Sequence, residues 1–295
     1  MTAPITRRFP TTQYSEPTPL SLGALKERRI SMLIQGESGS GKSHMVCTMP
    51  QPIIVGSTDP NLSVPTGFMH GGIDLTLYPL RTWADFEWFV RRTKNREWGA
   101  ATVALDSYTF VGDRLVLEKM DDPNSTKSDG NLKLQVWSHV KNDQWEAVMD
   151  LVSATGPQAG KPSYHVVVTI HEREEYEKTV IPTSSGEPQF LSKLTAVQPS
   201  VPGGLREGFG RMFDCVFIAQ QQSVSEKQSN GTMKVAGSRR VLWSVPPDQL
   251  RTTKDGVGGV KGTGGLDVLP PTVPNTWTEL CAAWSADPTT MRRLK

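Results

Sequence analysis

The sequence predicts an α/β fold: a mostly parallel central sheet flanked by helices, with an antiparallel hairpin toward the C-terminus. Short apolar runs recur along the chain without polar alternation, as strands buried on both faces require. Segments of helical spacing separate them. Several of the runs end in a polar or charged residue, and that end is where open α/β sheets gather their ligand-binding loops.

The first run, Ile30-Ser31-Met32-Leu33-Ile34, leads into Gly36-Glu37-Ser38-Gly39-Ser40-Gly41-Lys42-Ser43. That stretch satisfies G-x-x-x-x-G-K-[ST] at every fixed position, and a strand before it with a helix after it makes it a phosphate cradle. Its backbone N–H groups, through His44, form an anion-binding concavity. Lys42 is expected to reach the β- and γ-phosphates, and the Ser43 hydroxyl to ligate Mg²⁺. Residues 42–49 read as the following helix, stopped by Pro50 and Pro52.

Ile53-Ile54-Val55-Gly56 is the second strand, ending in Ser57-Thr58-Asp59-Pro60. Asp59 therefore lies on the ligand edge, although an Asp before Pro is equally a turn former. Leu75–Tyr78 is a further strand. Thr82–Thr93 is an amphipathic helix with Trp83, Phe86, Phe89 and Val90 on its core stripe and Trp88, Arg91 and Arg92 facing elsewhere. Ala101 to Leu105 ends in Asp106-Ser107, an apolar strand delivering an acid beside the glycine loop, where it can hold the metal. Val111–Met120 and Leu132–Ala154 are helical, the second with Trp137, Val140, Trp145, Val148 and Leu151 as apolar positions.

His165–Glu172 is a β-branched core strand, and His171 is expected at its C-terminal end as a γ-phosphate sensor. Arg173 to Arg211 is read as irregular. Phe213–Ala219 is another strand. Met233–Val235 and Arg239–Val245 are expected to close an antiparallel hairpin, with Asn230-Gly231 as a possible turn. A basic, glycine-rich loop carrying Arg251 and Lys254 follows, then a short helix around Trp277–Trp284. The expected organisation is a flexible arm over residues 1–20, a P-loop domain over 21–269 and a helical tail over 270–295.

The chain has 295 residues, a formal net charge of +2 and 3 cysteines in no cluster. That balance advertises no global field for nucleic acid or membrane. The scattered cysteines argue against a disulfide framework or structural zinc and fit a reducing cytoplasm. No apolar run approaches a membrane span, and no secretory signal opens the chain.

Taken in order, the glycine loop, Asp59, Asp106, His171, the Phe213-Asp214 strand and the late basic loop resemble RecA-like P-loop ATPases. The resemblance is closer to the compact ATP-binding proteins of bacteriophages, a group that includes single-strand annealing recombinases. It implies ATP and Mg²⁺ as cofactors, with Lys42 and Ser43 on phosphate and metal and Asp106 supporting the metal. It implies His171 as sensor and Asp59 as the base acting on water, where the family usually places a glutamate. Glu37 or Glu172 are alternative bases. Arg251 or Lys254 would be offered to a neighbour's nucleotide in a ring or filament of identical subunits. Single-stranded DNA would meet Arg173, Lys178, Phe190, Lys193, Arg206 and Arg211, although Glu172, Glu174, Glu175, Glu177 and Glu187 interrupt any basic stripe. A nucleotide or small-molecule kinase and a non-catalytic ATP-switched assembly protein remain as alternatives.

Overall fold

Strand β1 (Ser31–Gly36) is buried at every position, because strands flank it on both edges and helices cover both faces. A computed structural model describes residues 29–59, 62–181, 189–201, 205–227, 233–243 and 272–283. The expected N-terminal arm, Arg251, Lys254 and the Asn230-Gly231 pair lie outside the described residues.

After β1 come α1 (Lys42–Cys47), β2 (Ile53–Ser57), α2 (Ser63–His70), β3 (Leu75–Pro79), α3 (Trp83–Lys94), β4 (Thr102–Asp106), α4 (Tyr108–Met120) and α5 (Leu134–Ser153). Then follow β5 (His165–Ile181), β6 (Gln189–Pro199), α6 (Arg206–Phe209), β7 (Cys215–Lys227), β8 (Met233–Trp243), β9 (Thr272–Pro274) and α7 (Trp277–Ala283). The sheet order is β3-β2-β4-β5-β1-β7-β8-β9, with β6 paired to β5. All pairings from β3 to β7 are parallel, and those of β6, β8 and β9 are antiparallel. This is the α/β class the sequence predicts.

The pleat divides the strand side chains between two cores. Leu33, Val103, Leu105, Val166, Val168 and Ile170 face α3, α4 and α5, where Phe86, Phe89, Tyr108, Val148 and Leu151 cover them. Met32, Ile34, Ile53, Val55, Val167 and Phe217 face Met45, Val46, Trp277 and Leu280 of α1 and α7. Both faces are apolar, which is why the strands read as continuous hydrophobic runs. At the entrance to β1, Asp214 Oδ2 accepts from Ser31 N (2.9 Å) and Oγ (2.8 Å), pinning β7 to β1 at the edge opposite the glycine loop.

The structure corrects several sequence expectations. His171 is not at the end of β5, which runs on to Ile181; it is the point where pairing with β1 stops and pairing with β6 begins. The stretch after Arg173 is therefore a β-ribbon with a register shift at Glu175/Tyr176, followed by the short helix α6. Its charged residues hid it, because Glu172 to Lys178 shows neither an apolar run nor an alternation of apolar and polar residues. Met233–Val235 and Arg239–Trp243 do not pair with each other. They belong to one strand, β8, which pairs antiparallel with β7 and β9, and the register shift opposite Val224/Ser225 places an extra residue, a bulge, before Gly237.

Ser63–His70, whose Pro65 and Gly67 argue against a helix, forms α2; Pro65 is tolerated there because it stands in the first turn. Trp88 does not face away from the core. It packs edge-on against Tyr78 (5.5 Å) and Trp98 (5.7 Å), and the Arg92 guanidinium lies 4.4 Å from the Trp98 ring centre, a cation–π contact that keeps the charge at the surface. On α5, Trp137 and Trp145 remain 39% and 36% exposed, so the core stripe is carried by Val140, Val148 and Leu151.

Candidate functional site

The strand order brings the chemistry together. β2, β4, β5 and β1 are consecutive neighbours, so the polar residues at their C-terminal ends share one edge. In register, Ser57 stands beside Asp106 and Gly36 beside His171.

The loop after β1 is shaped by close approach. A Cβ on Gly36 would lie 2.5 Å from the Ala219 carbonyl oxygen and 2.7 Å from Ser40 Oγ, so no side chain fits there. Gly41 adopts φ 100°, a left-handed conformation that costs glycine nothing. It is the N-cap of α1, which has only 6 residues. A helix that short adds little macrodipole, so the anion-binding capacity rests on the loop's own N–H groups.

Lys42 is 6% exposed. Its Nζ donates to the Gly36 and Glu37 carbonyls at 2.8 Å each and lies 3.4 Å from His171 Nδ1. Burial pushes its pKa below the ordinary lysine value, while the carboxylates of Asp106, Glu172, Asp59 and Glu37 pull it back up.

Asp106 is 5% exposed at the end of β4, and its Oδ1 accepts the Thr169 hydroxyl from β5. Thr58 clamps the ends of β2 and β4 together: its N–H donates to Asp106 O at 2.9 Å, and its hydroxyl donates to Ser107 O. Asp59 follows directly, so its backbone is fixed relative to Asp106. The His171 N–H donates to Thr109 Oγ1 at 3.0 Å, and its ring stands edge-on to Phe110 at 5.7 Å.

These side chains border a cavity of about 750 Å³, lined also by Ser38, Gly39, Ser43 and His44 of the loop and by Val64, Phe68 and Ile73. One end is polar and carries Lys42, Asp59, Asp106 and His171. The other is apolar and is walled by α2 and the residues after it. The donor set fits a nucleoside triphosphate with a hard divalent cation. Loop N–H groups and Lys42 suit phosphate, the Ser43 hydroxyl and Asp106 carboxylate are oxygen ligands of the kind Mg²⁺ takes, and the apolar wall suits a base.

Of the sequence-predicted residues, Gly39, Gly41, Lys42, Ser43, His44, Ser38, Asp59, Asp106 and His171 all line this cavity. Glu37 contributes its carbonyl to Lys42. Arg173 and Arg211 are exposed and do not line it. Sequence reasoning missed Thr169, Thr58, Phe68, Asn275 and Arg240. Asn275 Nδ2 donates to the Gly41 carbonyl at 2.9 Å, and the same residue's carbonyl lies 3.1 Å from His44 Nδ1. Strand alternation was the available signal for Arg240: it shares a face with Leu242, which belongs to the core against α1.

His171 is depressed below its ordinary pKa of 6.5, first by burial and then by the charge of Lys42, with Asp59 and Asp106 opposing. The folded imidazole is harder to protonate than the unfolded one. Acidification through the ordinary range therefore loads protons onto the unfolded chain first and drains stability, while above that range the neutral ring costs nothing. Thermal melts between about pH 5 and 8 are expected to show the wild-type Tm falling more steeply on acidification than that of His171→Gln. Parallel curves would contradict this assignment.

A strand, a glycine loop and a buried lysine, set beside acid-bearing ends of parallel strands, define a P-loop nucleotide-binding protein. The chain belongs to the AAA_24 family, described as an AAA domain, which matches residues 28–255. It therefore carries an AAA-type ATPase domain. Among solved structures it is similar to the flagellar accessory protein FlaH from Methanocaldococcus jannaschii, at 11% identity and a TM-score of 0.30 over 74% of this chain and 78% of that chain; a likeness that loose says nothing about activity. No curated protein matches the chain. Among the described residues no helix is long and apolar enough to cross a membrane.

Proposed function

We propose that this chain is a Mg²⁺-dependent ATPase whose cycle is coupled to single-stranded DNA, working as an oligomer in phage-type recombination or replication. The observation that carries the ATPase half is the convergence of Lys42, Asp59, Asp106 and His171 on the polar end of one cavity. In this reading the loop N–H groups and Lys42 hold the β- and γ-phosphates, and Lys42 exchanges its carbonyl partners for phosphate oxygens. Ser43 and Asp106 would hold Mg²⁺, which supplies charge neutralisation at the phosphates. Thr169 donates to Asp106 Oδ1, which orients the carboxylate that would hold the metal or its water. Asp59 accepts the proton of the attacking water, and His171, kept neutral, hydrogen-bonds the γ-phosphoryl oxygens. Phe68 and Ile73 wall the base.

Support for the DNA half is the continuity of β5. Its parallel part carries His171 beside Lys42, and the same strand continues without a break into the ribbon with β6. A shift at His171 on γ-phosphate loss would be carried along a paired strand into a segment bearing Arg173, Lys178 and Lys193. Such basic residues suit a phosphate backbone.

The test is steady-state ATP hydrolysis by the full chain with and without a single-stranded oligonucleotide, at low and high salt. Stimulation of at least about tenfold, weakened as salt rises, is expected. Hydrolysis unaffected by DNA, with no salt-sensitive binding, would leave the ATPase and remove DNA as its partner.

A further inference from the structure

The geometry points to Arg240 as a cation that grips the bound polyphosphate from within the same chain, on the side of the glycine loop away from Asp59 and His171. The inference rests on the ATP-binding reading above and adds a residue to it.

Arg240 reaches the loop through its stem. A Cβ placed on Gly41 would sit 2.4 Å from Arg240 Cδ and 3.2 Å from its Nε. The second glycine of the motif is thus required for its φ, and the arginine stem lies directly against it. The residue borders the main cavity of about 750 Å³ and a smaller one of about 310 Å³ beyond it, lined by His44, Gln221, Ser238, Asn275 and Glu279. Its place is the partition between them, next to the loop that would hold phosphate.

The backbone beneath it is fixed. β8 is paired on one edge with β7 through Gln221↔Arg240 and on the other with β9 through Val241↔Pro274. Asn275 then ties the arginine to the loop, its N–H donating to Arg240 O at 3.3 Å and its side-chain amide to Gly41 O at 2.9 Å. Among the described residues no carboxylate forms an ion pair with Arg240. Its neighbour Arg239 points to the other face of the strand, where Nε and Nη2 meet Gln222 Oε1 at 3.3 and 3.2 Å.

A guanidinium bonds phosphate oxygens through paired N–H donors, with a geometry an ammonium cannot reproduce. Lys42 and Arg240 would then flank the same anion, held by a strand pairing that needs no neighbouring subunit. This differs in kind from a cation offered by a second copy, because the site carries its own arginine at any protein concentration.

The experiment measures binding of ATP, with Mg²⁺, to the full chain by titration calorimetry. Arg240→Ala is expected to raise the Kd about 10- to 100-fold, the loss of one bidentate charged contact. Arg240→Lys is expected to recover part of that loss, and Arg239→Ala to change the Kd less than about twofold. Equal melting temperatures for the variants separate the effect from misfolding. Adding an equimolar amount of Lys42→Ala protein, whose Arg240 is intact, is expected not to restore binding to Arg240→Ala. Binding of ATP by Arg240→Ala at wild-type strength would overturn the inference, and restoration by the mixed subunit would overturn its cis character. Failure of the wild-type chain to bind ATP at all would overturn the ATPase reading and this inference with it.

Discussion

Lys42→Ala is expected to abolish ATP binding and hydrolysis while leaving the fold in place. The wild-type Lys42 is 6% exposed, and its ammonium donates to the Gly36 and Glu37 carbonyls at 2.8 Å. Removing it leaves those carbonyls without the lysine, which costs about 1–3 kcal/mol if water cannot replace it. It also removes a buried charge whose burial is itself unfavourable. These terms oppose each other, so the melting temperature should move little. Binding has no such compensation. The triphosphate loses its central cation, and charge-assisted bonds are the strong ones. The Kd for ATP should rise at least about 100-fold, equivalent to about 2.7 kcal/mol. Calorimetric titration beside a thermal melt checks both halves. Normal ATP affinity in a folded Lys42→Ala protein would mean that the glycine loop is not the phosphate site.

That contrast between loop and surroundings also explains what the sequence could disclose. The loop was legible because its residues act at fixed spacing along one segment. β2 and β4 were legible because parallel strands buried on both faces need unbroken apolar runs, and the polar residue that ends each run reports the sheet edge. The end of β5 was misplaced because Glu172 to Lys178 has neither an apolar run nor alternation. A ribbon held by pairing with β6 carries little sequence signal beyond its length. α2 was missed because Pro65 and Gly67 argue against helix. Its apolar contribution comes from Phe68, and its aromatic contact is with His44 at 5.3 Å. Tertiary packing overrides propensity there.

Arg240 and Asn275 are a different kind of omission. Asn275 is separated from Gly41 by 234 positions, and nothing in a single chain of letters couples the two. The link exists because β9 adds to β8 and turns into α7, where Trp277 N donates to Thr48 Oγ1 at 2.9 Å. Trp277, Leu280 and Cys281 then join the core against α1. The described part of the C-terminal region is thereby tied to the phosphate loop.

Asp59→Asn is expected to separate binding from turnover. The carboxylate stands just past β2, on a backbone held to β4 through Thr58, and its charge reaches both Lys42 and His171. Two consequences follow from removing that charge. A positioned carboxylate acting on the attacking water contributes about 100- to 10,000-fold to such a reaction, so hydrolysis should fall by at least about 100-fold. The same carboxylate repels a triphosphate, so the Kd for ATP should stay within about threefold or tighten. Slower turnover with equal or tighter binding is a signature that damage to the loop cannot produce, since that damage weakens both. Asp59→Glu, one methylene longer, keeps a base in the cavity and should retain measurable hydrolysis. Single-turnover hydrolysis with matched binding titrations distinguishes these outcomes. Wild-type hydrolysis by Asp59→Asn would move the base to another carboxylate around Lys42. Glu172 is then the first to test, because it follows His171 on β5 and its charge also reaches the lysine. The Asp59 carboxylate would in that case act only through its field.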